Sequence, residues 1–162
     1  QKSIKIPNNQ FVKDVISAYV YDTKNGGGKA FLKAVHGKHD IYIDDARLET
    51  GGTNMFSVNG HQPTVYWNPE FGIITSTGGR QSPATILDHE LDHAVDDVMN
   101  PNLHNQRENR IDSKFENLEE RRVILGSETI TAIRNGEAPR KDHKGIPFRV
   151  SNPTSIKPYK NK

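Results

Sequence analysis

Apolar positions along this chain recur at two spacings, and the switches between them divide it into four stretches. In "NQFVKDVISAYV" Phe11, Val15, Ala18 and Tyr19 follow at helical intervals, with Asn8 or Asn9 placed to cap the first turn. "NGGGK" breaks that helix, and "AFLKAVHG" predicts a short second one closed by Gly37. "HDIYID" alternates, with Ile41 and Ile43 on one face, which predicts a strand and completes a first stretch, 1–50. Over 51–80, Gly- and Asn-rich turns separate two further short strands at 64–67 and 72–75. Helical spacing returns over 81–136, and 137–162 reads as Pro-rich, irregular and basic. No internal repeat is visible, so an α+β fold in one domain over 1–162 is expected, with a small twisted sheet against the helices.

The third stretch carries the clearest punctuation. Ser82 is a good N-cap, Pro83 suits the first helical position, and Pro101 cannot continue the helix. Between them Leu87, Leu91, Ala94, Val95 and Val98 form an apolar stripe. A second helix is predicted in "FENLEERRVILGSETITAIRNG", where Leu118, Val123, Ile124, Ile130 and Ile133 supply an apolar face and Gly136 ends the run.

Composition narrows the chemistry. A chain of 162 residues, 33% apolar and without a long hydrophobic run, suits one domain with a modest core and no membrane insertion. The formal net charge is only +2, with acids and bases mixed along most of the chain, so nucleic-acid binding is not indicated. There is no cysteine, which leaves His, Asp and Glu as the only ligands for a metal. Beginning at Gln1, without an apolar signal core, the chain reads as an excised or processed part of a larger polypeptide.

Against that background "HELDH" stands out in the capped helix. His89 and His93 lie one turn apart on one face, so two neutral imidazoles can converge on a tetrahedral Zn²⁺, with Glu90 beside them to take a proton from an attacking water. The bland alternative is a solvated acidic face made of Asp88, Glu90, Asp92, Asp96 and Asp97. A metzincin would continue with Gly and His at positions held here by Asp96 and Met99, and His104 is off that spacing, so the third ligand is sought elsewhere. Glu120 precedes Val123 and Ile124 by three and four residues and points to the side they bury, whereas Glu119 angles toward Arg122; Glu120 is the preferred ligand and Glu119 the reserve. In the tail, "RKDH" offers Arg140 and His143 as donors to an oxyanion, or, with Asp142, as pins for the loop. Asp97, one turn beyond His93, is a further candidate to hydrogen-bond a ligand histidine.

The segments "VYWNP", "GIITSTGGRQSPATILDHELDHA" and "NLEERRVILGSETITAIRNGEAPRKDHKGIPFRVSNPTS" together resemble the effector-type zinc metallopeptidases of type III secretion systems. They are most similar to relatives of that family among Rhs-type polymorphic toxin C-terminal domains. The resemblance covers roughly 65–155 and implies His89 and His93 as zinc ligands, Glu90 as general base, and a glutamate of the second helix, best matched by Glu120, as third ligand. Asp92 stands where relatives often carry Gly, and the Glu119–Glu120 doublet leaves the ligand open. Implied further are a compact zincin-like fold, Tyr66 or Trp67 lining a cleft beside the strand that pairs with substrate, and a secreted toxin or effector delivered into a target cell. There it would cleave a protein, and its producer would be protected by an immunity protein. Two rival readings stay open: a non-catalytic zinc-stabilised interaction domain, and an HExxH hydrolase of non-peptide amide bonds.

Overall fold

The computed structural model describes residues 9–161. Helix α1 runs Gln10–Lys24, capped by the Asn9 side chain on the Phe11 N–H at 3.1 Å, while Asn8 lies outside the described residues. Helix α2, Lys29–His36, starts after Gly28, whose φ of 66° and a would-be Cβ only 2.9 Å from Thr23 Cγ2 leave room for glycine alone. There follow β1 (Tyr42–Asp45), the short helix α3 (Ala46–Glu49), β2 (Met55–Asn59), β3 (Gln62–Trp67), β4 (Phe71–Thr75) and β5 (Arg80–Gln81). Helix α4 is Pro83–Met99 and α5 is Pro101–Glu108. The two-residue strands β6 (Ile111–Asp112) and β7 (Glu116–Asn117) precede α6 (Leu118–Val123), a π-type turn (Ile124–Glu128), α7 (Thr129–Arg134) and β8 (Gly145–Arg149).

The architecture is mixed α+β, but where one sheet was expected the strands form a two-stranded β6–β7 ribbon and two small three-stranded sheets. One has the order β1-β3-β2, with β1 parallel and β2 antiparallel to β3; the other is antiparallel in the order β5-β4-β8. Strand β2 escapes a periodicity reading because none of its residues is fully buried, so it shows no inward alternation. Strand β8 corrects the irregular tail: Pro147 reads as a breaker, yet it pairs with Ile73 on an edge strand, where a missing N–H is tolerated. Pro101 does end α4, and it also occupies the first turn of α5, which the stop signal concealed.

The predicted second helix is broken. Gly126, at φ −101° and ψ −108°, leaves helical geometry inside the π-type turn, and the phase shift turns Ile130 and Ile133 outward to 43% and 59% exposure. Thr131 and Ala132 face inward in their place.

Helix α4 is the axis of the core. Every residue from 83 to 91 is buried, and Leu87, Leu91 and Ala94 pack with Phe11, Ala18, Phe31, Val65 and Trp67 between α1, α2 and β3. Val95 and Val98 are only half-buried, so the stripe fades along the last turns. Trp67 is a core residue rather than a cleft residue, its indole N–H donating to the Pro83 carbonyl at 2.8 Å. Polar ties lock the helices in register. Asp88 accepts from the Phe31 N–H at 3.0 Å, capping α2, and from the Thr131 hydroxyl at 2.8 Å. Asp22, fully buried, accepts from Asn135 Nδ2 at 2.9 Å through one oxygen, while the other has no partner.

Truncating the centre of this core in Leu91→Ala should cost about 2–5 kcal/mol, read as a lower denaturation midpoint with unchanged slope. Burial pushes the Asp22 carboxyl well above its ordinary value, with Asp88 adding repulsion. Its folded pKa therefore exceeds its unfolded one, and the stability it contributes is full below the unfolded pKa and lost as pH rises through the folded one. Asp22→Asn is thus expected to melt above wild type at pH 8 by a margin that shrinks toward pH 4; an equal margin at both would remove the buried charge as its cause.

Candidate metal centre

Helix α4 presents His89 and His93 one turn apart, and α6 crosses it so that both imidazoles meet the Glu120 carboxylate. His89 Nε2 is 3.1 Å from His93 Nε2 and 3.1 Å from Glu120 Oε2; His93 Nε2 is 3.2 Å from Glu120 Oε1. Glu90 reaches the same point from the next position on α4, with Oε1 3.9 Å from His89 Nε2.

Glu119, the reserve ligand, turns the other way. It is the more buried of the two, reversing the expectation that Glu120 takes the side of Val123 and Ile124, and its Oε2 lies 2.8 Å from His93 Nδ1. Glu128, beyond the π-type turn and absent from the sequence reading, places Oε1 2.9 Å from His89 Nδ1, though off the axis of a straight hydrogen bond. Asp97, the acid expected to support His93, makes no hydrogen bond to it among the described residues; Glu119 holds that place from another helix. Each imidazole therefore has its Nδ1 against a carboxylate and its Nε2 aimed at Glu120.

The outer acids are neutralised. Glu119 accepts from Arg107 Nε at 2.8 Å and from Arg122 through Nε and Nη2, both 2.8 Å, and Glu128 is bracketed by Arg140. Among the described residues neither Glu90 nor Glu120 has an arginine or lysine within ion-pair distance, so the uncompensated charge sits at the centre. Burial disfavours charge on the His89 ring, but Glu120 and Glu128 outweigh it and raise its pKa to about 9. Burial likewise opposes ionisation of Glu120, and the two histidines overcome it and hold the carboxylate well below its ordinary range. Glu90 has no such partner at bonding distance, and burial pushes its pKa up. The acidic-face alternative is corrected here, since Asp88, Glu90 and Asp96 are all buried.

The donor set suits a cation. Ligands held about 2.0–2.1 Å from a tetrahedral zinc stand roughly 3.3 Å apart, close to the 3.1 Å between the two Nε2 atoms and the 3.1 and 3.2 Å from each Nε2 to one or the other Glu120 oxygen. Glu120 Oε2 is buried without a hydrogen-bond partner, a cost that a bound cation removes. A second group of donors, Asp96, His104 and Glu119, converges nearby, but Arg107 and Arg122 already supply positive charge to its acids. That group is a salt-bridge network.

The tail closes over one side. His143 Nε2 is 3.6 Å from Glu120 Oε2 and its Nδ1 is 3.4 Å from Glu116 Oε2, with the ring 40% exposed. Its backbone N–H donates to the Lys114 carbonyl at 2.9 Å, and its carbonyl accepts from Arg140 Nη1 at 3.1 Å. Arg140 is thus a pin of this loop, and of the two donors considered only His143 faces the centre.

Two helix-borne imidazoles, a carboxylate from a crossing helix and an unpaired acid beside them are the kit of the metal-dependent hydrolases. Comparison with known families gives the narrower class. Residues 11–149 match the family Peptidase_M91, described as "Effector protein", and the chain belongs to this family of effector peptidases. No curated protein and no solved structure matches it.

Removing the counter-charge from the outer shell should be costly. Arg107→Met leaves Asp96 and Glu119 each one charged hydrogen bond short, and an apparent loss of about 1.5–3 kcal/mol is expected in chemical denaturation. A variant as stable as wild type would mean that Arg122 alone carries the compensation.

Proposed function

We propose that this chain is a zinc-dependent endopeptidase, with the described residues forming one zincin-like catalytic domain in which His89, His93 and Glu120 hold the metal and Glu90 is the general base. The observation that carries the reading is the meeting of two imidazoles and a carboxylate at ligand-to-ligand spacing beside a buried carboxylate that has no arginine or lysine partner among the described residues. Zinc at this position would supply Lewis acidity, lowering the pKa of water and polarising the scissile carbonyl. Glu90 accepts the proton as water oxygen bonds to the carbonyl carbon, then returns it to the departing amine as the C–N bond breaks. Burial raises the basicity of Glu90 for the first step without removing its ability to give the proton back. His143, at the rim, donates from Nε2 to the oxygen that gains negative charge.

Family membership supports a protein as substrate and delivery of the domain into a target cell, where an effector acts. A cognate immunity protein in the producer belongs to the same reading. No described helix is long and apolar enough to cross a membrane.

Purified wild type and Glu90→Gln should each bind one zinc per chain, and His93→Ala should lose it. Expressed in a recipient cytoplasm, Glu90→Gln should lose toxicity, with its proteolytic rate down by about 10²–10⁴-fold. His143→Ala is expected to lower kcat by about 10²-fold with KM little changed. Full toxicity of a folded, zinc-loaded Glu90→Gln protein would sink the hydrolytic mechanism and favour a zinc-stabilised interaction domain.

A further inference from the structure

We propose that Glu128, clamped by Arg140, is a positioning residue that fixes the imidazole of His89, so that Nε2 is presented to the metal centre. The inference rests on the zinc reading above and assigns a task to a buried pair that the reaction itself does not use.

Helix geometry brings Glu128 there. At about 100° per residue, eight residues of regular α-helix would carry Glu128 about 80° round the axis from Glu120. The segment Ile124–Glu128 is kinked at Gly126, where the backbone leaves helical φ and ψ, so that count is broken there. Glu120 and Glu128 both face α4, and the His89 ring lies between them, Nε2 3.1 Å from one and Nδ1 2.9 Å from the other.

Glu128 is fully buried, and neither of its oxygens is left over. Oε1 and Oε2 accept from Arg140 Nε at 3.1 and 3.0 Å, Arg140 Nη2 bonds Oε1, and Gln81 Nε2 lies 3.3 Å from Oε2. A carboxylate locked on its far side by a guanidinium cannot follow the imidazole, so the imidazole must conform to it. Nδ1 stands 2.9 Å from Glu128 Oε1, off the axis of a straight hydrogen bond; a proton held on that nitrogen leaves the Nε2 lone pair for the metal. The same guanidinium donates to the His143 carbonyl, so one cation fixes both the His89 ring and the loop that bears His143. A carboxylate serving only to anchor the tail would have no reason to stand 2.9 Å from His89.

The test compares full-length wild type, Glu128→Gln, Arg140→Lys and Glu137→Gln by competition for Zn²⁺ against a chromophoric chelator, alongside the melting temperatures of the zinc-free proteins. Glu137 is the control, a buried carboxylate that caps the Ser82 N–H at 2.8 Å and touches neither imidazole. Glu128→Gln should weaken zinc binding by about 10–100-fold, and Arg140→Lys, which keeps the charge but loses the fork, should weaken it in the same direction. Glu137→Gln should lower the melting temperature and leave zinc affinity within twofold of wild type. Zinc affinity within twofold of wild type for both Glu128→Gln and Arg140→Lys overturns the positioning role while the zinc reading stands. If Glu128→Gln does not fold, Arg140→Lys decides by the same criterion. Failure of wild type itself to take up one zinc overturns the reading and this inference together.

Discussion

Packing His89 and His93 on α4 against Glu119, Glu120 and Glu128 removes four ionisable groups from water and half-buries the fifth, Glu120, and most of the remaining structure answers that cost. Isolated buried charges are prohibitively unfavourable, whereas paired and fully bonded ones are tolerable. Three arginines from three places in the chain, Arg107 on α5, Arg122 on α6 and Arg140 in the tail, converge on the outer carboxylates for this reason. Helix α5, helix α6 and the tail segment before β8 each supply one of those partners.

The compensation stops at the centre of the site. Outer acids are matched by arginines and the apolar half of α4 is matched by α1, α2 and β3, but Glu120 and Glu90 meet only histidines. A cation is what such a pocket lacks electrostatically. The same arrangement keeps the two inner carboxylates chemically distinct: Glu120 is held ionised by two imidazoles, and Glu90 is made more basic by burial alone. Two glutamates in a shared site acquire opposite pKa shifts from their neighbours and not from their identity.

What a single sequence displayed well was local. Ser82 and Pro83 marked the start of α4, Pro101 its end, and the i, i+4 spacing put His89 and His93 on one face, because caps and helical spacing depend only on residues within a turn or two. Strands 64–67 and 72–75 were visible through their β-branched and aromatic runs, and both were found slightly longer, as β3 and β4. Strand β8 and helix α5 were hidden by the prolines that each of them tolerates. The apolar face assigned to Ile130 and Ile133 failed because it assumed one continuous helix, and a single π-type turn shifts every later residue around the axis.

By itself, then, the sequence determined the α4 helix, the class of chemistry its HELDH pair can support and the absence of any thiolate alternative. Only the tertiary structure decided which glutamate meets the histidines and which stands behind them. Adjacent residues on a helix differ by about 100° in direction, so Glu119 and Glu120 were bound to face different partners. Which direction is which depends on how α6 crosses α4, and that crossing is set by packing and ion pairs between segments remote in the chain.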